Sequence, residues 1–160
     1  MKKEDRLLRV GVLGCGPIAQ FAHFDACRKA RNAELYALCD VAGDLVARMA
    51  AVHQPRRTFL RYEEMLADPD LDVVIVATSD PFHVALSRQA LEAGKHVLVE
   101  KPLGVNVEEC EDLAECARNT GRILQVGNMK RFDPGIAFAH RFIREEMGDR
   151  KSTRLNSSHT

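Results

Sequence analysis

A glycine-rich segment near the start of the chain has residue types and a spacing suited to binding phosphate. It comprises Gly14, Cys15, Gly16, Pro17, Ile18 and Ala19, and it directly follows an apolar run. In a G-x-G-x-x-A pattern the first glycine permits a tight turn and the second lets a pyrophosphate approach the backbone, while the alanine lets the next helix lie close to the strand. Free amides at the start of that helix also favour phosphate. The segment therefore predicts a dinucleotide-binding loop, with an empty structural turn as the alternative.

An acidic residue, Asp40, ends the second apolar run, somewhat further along the chain than the usual spacing of about 20 residues. A carboxylate at this position accepts hydrogen bonds from the adenosine ribose and repels a 2′-phosphate. The next residues, Val41 and Ala42, supply no arginine for such a phosphate. We therefore predict NAD rather than NADP as the cofactor, with a solvated aspartate or a helix cap as the alternative.

Strand and helix patterns alternate along most of the chain. Short apolar runs predict strands at 7–13, 34–39, 58–60, 73–78, 96–99 and 123–126. Amphipathic spacing predicts helices at 17–30, 44–52, 62–67, 84–93, 107–120 and 135–147. Asn106 and Glu109 form a predicted capping box, and Gly94 and Gly121 are placed to end helices. The alternation predicts an α/β fold of the Rossmann type, a doubly wound parallel sheet with helices on both faces.

Composition argues against several classes of partner. Of the 160 residues, 46% are hydrophobic and 29% are charged, and the formal net charge is zero, so no electrostatic footprint for nucleic acid or an anionic membrane is present. No apolar run approaches the roughly 18 residues of a membrane span. The 5 cysteines form no Cys-x-x-Cys pair, as expected of reduced thiols in the cytoplasm, and no spacing suggests a metal site. Four histidines without a surrounding motif are interpreted as surface or packing residues, namely His23, His53, His96 and His140.

Three further polar segments follow predicted strands or lie at their ends. They are Ala-Thr-Ser-Asp-Pro-Phe-His at 77–83, Val-Glu-Lys-Pro at 99–102 and Gly-Asn-Met-Lys-Arg-Phe-Asp-Pro at 127–134. Open parallel sheets bind ligands at the carboxyl ends of their strands. Together with the glycine loop, and in this order, the segments resemble the Gfo/Idh/MocA family, which includes glucose–fructose oxidoreductase and inositol dehydrogenase. The resemblance covers residues 7 to about 148.

This resemblance implies roles for the residues at the strand ends. Lys101 would be the catalytic residue, near the nicotinamide and the reacting hydroxyl group, because a lysine among such groups suits acid–base chemistry; a solvated lysine is the alternative. Glu100 would orient Lys101 or contact the nicotinamide ribose, and Pro102 would shape the turn, with the cis peptide bond that the family often has. The cofactor channel would be lined by Thr78, Ser79, Pro81 and His83. For His83, a structural hydrogen bond at a helix start is the alternative.

The same resemblance implies an NAD(P)-dependent dehydrogenase acting on a small-molecule substrate, the secondary alcohol of a sugar or cyclic polyol. Residues 1–127 would form the cofactor domain, and 128–148 the crossover and first helix of a substrate domain that carries the acid–base Asp and His. Residues 149–159 match the translation of a common sequencing adapter, and 149–160 are interpreted as a read-through artefact rather than a polar tail. The chain alone is then expected to be inactive, and the complete protein to be a homo-oligomer. A non-catalytic dinucleotide sensor or interaction module is the alternative function.

Overall fold

A six-stranded parallel sheet organises residues 6–145, the part of the chain that the computed structural model describes. The strands are β1 (Leu8–Leu13), β2 (Ala33–Cys39), β3 (Arg57–Phe59), β4 (Val73–Val76), β5 (His96–Val99) and β6 (Leu124–Val126). The helices are α1 (Phe24–Lys29), α2 (Gly43–His53), α3 (Tyr62–Leu66), α4 (His83–Glu92), α5 (Val107–Thr120) and α6 (Pro134–Glu145). The spatial order is β3-β2-β1-β4-β5-β6, and all neighbours are parallel. The predicted doubly wound Rossmann-type fold is confirmed.

Helices cover both faces of the sheet, and each face has its own apolar core. One core joins the strands to α3, α4 and α5 and contains Leu91 and Leu113. The other joins them to α1 and α2 and contains Phe24 and Val46. Phe24, Leu91 and Leu113 are fully buried, and burying a side chain of this size contributes about 2–3 kcal/mol. The near-continuous apolar strands thus follow from burial on both sides.

The first helix differs from its prediction. The sequence predicts one helix over 17–30, but a π-helical segment, Ala19–His23, precedes α1. Within these two segments the inward-facing residues include His23, Phe24 and Cys27. The last residue of the π segment, His23, is therefore buried rather than directed to solvent. Single-turn π segments are often found at functional sites.

The helix-ending glycines adopt the backbone conformation that their predicted role requires. Gly121 ends α5 with φ 64°, and Gly94 follows α4 with φ 77°; both are left-handed values that other residues rarely adopt. At the start of α5, the side chain of Asn106 accepts a hydrogen bond from the amide of Glu109 at 2.9 Å. Within residues 6–145 no bond returns from the Glu109 carboxylate, so half of the predicted capping box is confirmed.

The chain divides into two compact units between Gly127 and Asn128. The second unit contains α6, in which the rings of Phe138 and Phe142 stack with their centroids 6.1 Å apart. Residues 146–160, including the adapter-like segment 149–160, lie outside the described residues. Within 6–145, no helix is both long and apolar enough to cross a bilayer.

Candidate functional site

A cavity of about 740 Å³ lies at the carboxyl edge of the sheet, within the range of about 300–1,000 Å³ that is usual for ligand sites. Here β1 and β4 are neighbours, and the chain order of the strands reverses on either side of them. Such a switch point opens a crevice beyond the strand ends. The cavity is lined by Leu13, Gly14, Gly16, Pro17, Ile18, Cys39, Asp40, Val41, Leu60, Tyr62, Ala77, Thr78, Ser79, Phe82 and Leu86.

The two glycines of the loop are required for different structural reasons. Gly14 has φ 92°, and a Cβ there would lie 2.6 Å from the carbonyl oxygen of Ala77. Its amide donates to the carbonyl of Cys39 at 2.8 Å, so Gly14 holds the end of β1 between two neighbouring strands. Around Gly16, by contrast, a Cβ would meet nothing within 4 Å. Gly14 is required by the fold, whereas the space beside Gly16 is open to a ligand.

Asp40 has two backbone partners. Its Oδ2 accepts from the amide of Cys15 at 2.7 Å, and its Oδ1 accepts from the amide of Ala42 at 2.9 Å. Each carboxylate oxygen can accept a further hydrogen bond, so Asp40 ties the glycine loop to the end of β2 and still offers acceptors to the cavity. The same carboxylate adds to the effect of burial on Cys15, and the pKa of that thiol is raised to about 12.

The segment after β4 contributes one face of the cavity. Thr78, Ser79 and Phe82 line it. The Oγ1 of Thr78 is buried and has no hydrogen-bond partner among the described residues. A buried hydroxyl without a partner costs free energy unless a ligand or water supplies one. Thr78 therefore lines the cavity and carries a buried hydroxyl whose hydrogen bond no described protein group supplies.

His83 takes a different place from the one that the resemblance implies. It is 1% exposed and absent from the cavity lining. Its Nε2 lies 3.0 Å from the carbonyl oxygen of Thr78, and its Nδ1 lies 2.7 Å from the carbonyl oxygen of Pro102. His83 thus joins the segment after β4 to the segment after β5 through backbone groups. The structural hydrogen bond that was the alternative at this position is present.

The Glu-Lys-Pro segment forms a tight turn after β5. The peptide bond between Lys101 and Pro102 is cis, as the resemblance implies. Glu100 is buried at 5% exposure, and its Oε2 lies 3.3 Å from the amide of Lys101. The side chain of Lys101 is exposed, and no carboxylate within 6–145 forms an ion pair with it. Glu100 therefore acts on Lys101 through the backbone rather than through the ammonium group.

Sequence analysis missed one partner of this turn. The Nε2 of His23 lies 2.9 Å from the Oε1 of Glu100, and both side chains are buried. His23 was interpreted as a surface or packing residue, and its position in a loop-proximal helix carries no motif. The two residues are 77 positions apart, so only the fold brings them together.

The structure divides the predicted site residues into two groups. The cavity is lined by Gly14, Gly16, Pro17, Ile18, Asp40, Thr78 and Ser79. The lining does not include Ala19, Pro81, His83, Glu100, Lys101 or Pro102. Apolar lining residues such as Val41 and Leu60 were not predicted, because single apolar residues at strand ends have no distinctive pattern.

Comparisons with known proteins agree with this geometry. The sequence model of the Gfo/Idh/MocA oxidoreductase family, described as an NAD-binding Rossmann fold, matches residues 8–128. An inositol 2-dehydrogenase/D-chiro-inositol 3-dehydrogenase from Shouchella clausii is 36% identical over 142 residues, which are 88% of this chain and 41% of that protein. The chain thus spans about two fifths of the length of this relative.

Two solved structures are similar to the described fold. A scyllo-inositol dehydrogenase from Lactobacillus casei, with bound NAD(H) and scyllo-inositol, has a TM-score of 0.80 and 25% identity over 86% of this chain and 41% of that one. A 3-ketoreductase from Actinomadura kijaniata, in complex with NADP, has a TM-score of 0.82 and 29% identity over 86% of this chain and 43% of that one. Relatives with the same fold therefore use either form of the nicotinamide cofactor.

Proposed function

The chain belongs to the Gfo/Idh/MocA oxidoreductase family as an NAD-binding Rossmann domain, and from that premise we propose that it is the cofactor-binding part of an NAD-dependent dehydrogenase. Its reaction would transfer a hydride between the nicotinamide and a secondary alcohol of a sugar or cyclic polyol. The observation that carries this proposal is the carboxyl edge of the sheet, where the glycine loop, Asp40 and the Glu-Lys-Pro turn follow β1, β2 and β5. Two of the three named relatives are dehydrogenases of inositol, a cyclic polyol.

The residues of the cavity fit a dinucleotide. The open space beside Gly16 would admit the pyrophosphate to the backbone, and the Oγ1 of Thr78 has no partner among the described residues. Val41 is 92% exposed at the end of β2 and, with Leu60 across the cavity lining, would cover the adenine. The bound cofactor would supply the hydride chemistry, while the protein binds and orients it.

We propose NAD over NADP from the environment of Asp40. Its carboxylate has acceptors left for the ribose hydroxyl groups, and a 2′-phosphate would meet its negative charge. Calorimetry on the wild-type chain should give tighter binding of NADH than of NADPH. In Asp40→Asn we expect the difference between the two affinities to shrink, because the repelling charge is lost. Tighter binding of NADPH by the wild type would overturn the preference.

The role proposed for Lys101 needs the complete enzyme. There, Lys101→Ala should lose turnover by about a hundredfold or more, as when a positioned acid–base group is removed, and should keep its NADH affinity within about threefold. The present chain alone should bind NADH and show no turnover with polyols. Turnover by the chain alone would contradict the proposed division of labour, in which 128–148 begins a separate substrate domain. Unchanged turnover in Lys101→Ala would contradict the catalytic role of Lys101, whereas NADH binding by the complete protein without any turnover would favour a non-catalytic sensor.

Two finer properties belong to the same proposal. The complete protein would work in the cytoplasm, where the five cysteines stay reduced. It would also be a homo-oligomer, which light scattering of the complete protein can test.

A further inference from the structure

The Glu-Lys-Pro turn is held on two sides by buried histidines. His83 contacts the backbone carbonyl of Pro102, and His23 contacts the side chain of Glu100. Lys101, which lies between the two held residues, is itself exposed. The two residues that flank Lys101 are therefore each held by a histidine, while the side chain of the proposed catalytic lysine remains accessible.

The contact between His23 and Glu100 joins the Nε2 of His23 to the Oε1 of Glu100 at 2.9 Å. A carboxylate accepts hydrogen bonds and an imidazole N–H donates them, so a glutamine amide is the substitute for His23 that keeps a donor. The other oxygen of Glu100 faces the amide of Lys101 at 3.3 Å. Rotation of the Glu100 carboxylate would disturb both contacts. His23 therefore constrains the backbone of Lys101 through one intervening side chain.

His23 also belongs to the segment that directly follows the predicted phosphate loop. It is the last residue of the π-helical segment that begins at Ala19, the final residue of the glycine loop. The loop is anchored in turn by Asp40 and by Gly14. A continuous set of contacts thus leads from the predicted pyrophosphate site to the turn that bears Lys101.

We propose that His23 is a positioning residue, which couples the dinucleotide loop to the Lys101 turn through Glu100. The inference rests on the proposed function and adds to it a residue that has no motif around it. Its specific consequence is that His23 sets the affinity for the nicotinamide end of the cofactor more than the affinity for the adenosine end. A role in packing alone would change both affinities together.

Two ligands and three substitutions test this coupling. NADH spans both ends of the site, whereas ADP-ribose lacks the nicotinamide. We expect His23→Leu to weaken NADH binding by about tenfold and ADP-ribose binding by less than about threefold, measured by calorimetry. His23→Gln should restore NADH binding to within about threefold of the wild type, because a glutamine amide can place a donor near the position of Nε2. His23→Asn is too short to do so and should resemble His23→Leu.

His96 is a matched control, because it lies at the start of β5, the strand whose other end leads into Glu100. The Nδ1 of His96, at the start of β5, accepts from the amide of Ile123 at 3.0 Å. His96→Gln should leave the affinities for NADH and ADP-ribose unchanged, and thermal unfolding of each variant verifies its fold. Equal losses for both ligands in His23→Leu, or no loss for either, would overturn the coupling. If that variant does not fold, equal NADH affinities of His23→Gln and His23→Asn would overturn it instead.

Failure of the proposed function gives a different result. A wild-type chain that binds ADP-ribose but not NADH, or neither, would contradict the dehydrogenase proposal itself, and the role of His23 with it. Normal NADH binding by the wild type, with no separation between the two ligands in the variants, would contradict the role of His23 alone.

Discussion

The carboxyl and amino edges of the sheet differ in how their polar and charged groups are used. At the carboxyl edge, loops leave open space beside Gly16, an exposed Lys101 and a Thr78 hydroxyl without a partner among the described residues. At the amino edge, charged side chains are used to join one strand to the next. Lys95, just before β5, is buried and donates to the carbonyl oxygens of Asp68 and Leu71 at 2.8 and 3.0 Å.

A second group of contacts closes the amino edge between β1 and β4. Asp72 accepts from the guanidinium of Arg6 and, at 2.9 Å, from the amide of Arg9. The carboxylate of Asp68 accepts from the hydroxyl of Tyr36 at 3.0 Å and from the amide of Asp70 at 2.9 Å. At the amino edge these donors and acceptors form hydrogen bonds with one another, whereas at the carboxyl edge some donors and acceptors remain available for further hydrogen bonds. In open α/β sheets this difference separates the edge that stabilises from the edge that binds.

The strongest test of the contrast is a pair of glycine substitutions at the carboxyl edge. Gly14→Ala should lower the free energy of unfolding by about 3 kcal/mol or more, because its Cβ would meet the Ala77 carbonyl at 2.6 Å and its φ is positive. Gly16→Ala should change stability by less than about 0.5 kcal/mol and weaken NADH binding by tenfold or more. Urea unfolding and calorimetry measure the two effects. A Gly16→Ala variant that binds NADH normally would break the assignment of the open space to the cofactor.

A substitution at the amino edge should lower stability and leave NADH binding unchanged. Lys95→Met keeps most of the unbranched side chain but removes the ammonium donor from two carbonyl oxygens, so we expect the free energy of unfolding to fall by about 2–3 kcal/mol. NADH affinity, measured on the folded variant, should stay within twofold. Lys29→Met is the matched control, because Lys29 is exposed and its one ion pair among the described residues, with Asp25, lies at the surface, so that its removal should cost less than about 0.5 kcal/mol. A large loss of NADH affinity in Lys95→Met would break the separation of the edges.

A smaller effect is expected from Asp72, and it depends on pH. Burial alone would raise the pKa of Asp72, but the hydrogen bonds from Arg6 and from the Arg9 amide outweigh it and lower the pKa below its ordinary value. The ionised form then contributes stability above about pH 4, which is lost as the pH falls through the lowered pKa. Asp72→Asn should therefore be less stable by about 1–2 kcal/mol at pH 7, and the difference should narrow in acid. The exposed Asp112→Asn serves as a control, and a gap independent of pH would contradict the ionic contribution.

The smallest expected effect is a lack of reaction at Cys15. Burial, with the nearby charge of Asp40, raises the pKa of this thiol to about 12, so almost none is thiolate at pH 8. Iodoacetamide should modify the partly exposed Cys110 first and leave NADH affinity unchanged, as mass spectrometry and calorimetry would show. Labelling of Cys15 at the rate of Cys110 in the folded protein would mean that the glycine loop opens more readily than its contacts indicate. In Cys110→Ser, rapid labelling should disappear.

The parts of the fold that depend on local pattern were predicted well. The bounds of β5 agree at both ends, and the other strands agree within two residues, because a buried parallel strand appears as an apolar run between polar segments. Gly121 was identified from its place after a helical pattern. The glycine loop and Asp40 were found in the same way, since their spacing relative to the strands is fixed by the ligand they accept.

The contacts between distant segments could not be predicted. The sequence does not show the π-helical segment in which His23 is buried. It also does not show the contact between His23 and Glu100, which are 77 positions apart. His83 lies in a motif but is buried, and its ring nitrogens contact two backbone carbonyl oxygens. A histidine in a sequence does not reveal whether a ligand or a backbone group lies beside it.

The position of β1 at the centre of the sheet has a consequence during synthesis. β1 is made first, yet one of its two neighbours is β4, and Arg9 contacts Asp72 across 63 positions. At about 5–20 residues per second, translation of that interval takes about 3–13 s. Throughout this time one edge of the apolar strand β1 has no native partner. A ribosome that stalls within this interval would present an open strand edge to other nascent chains, and one that stalls after residue 76 has left the ribosome would not.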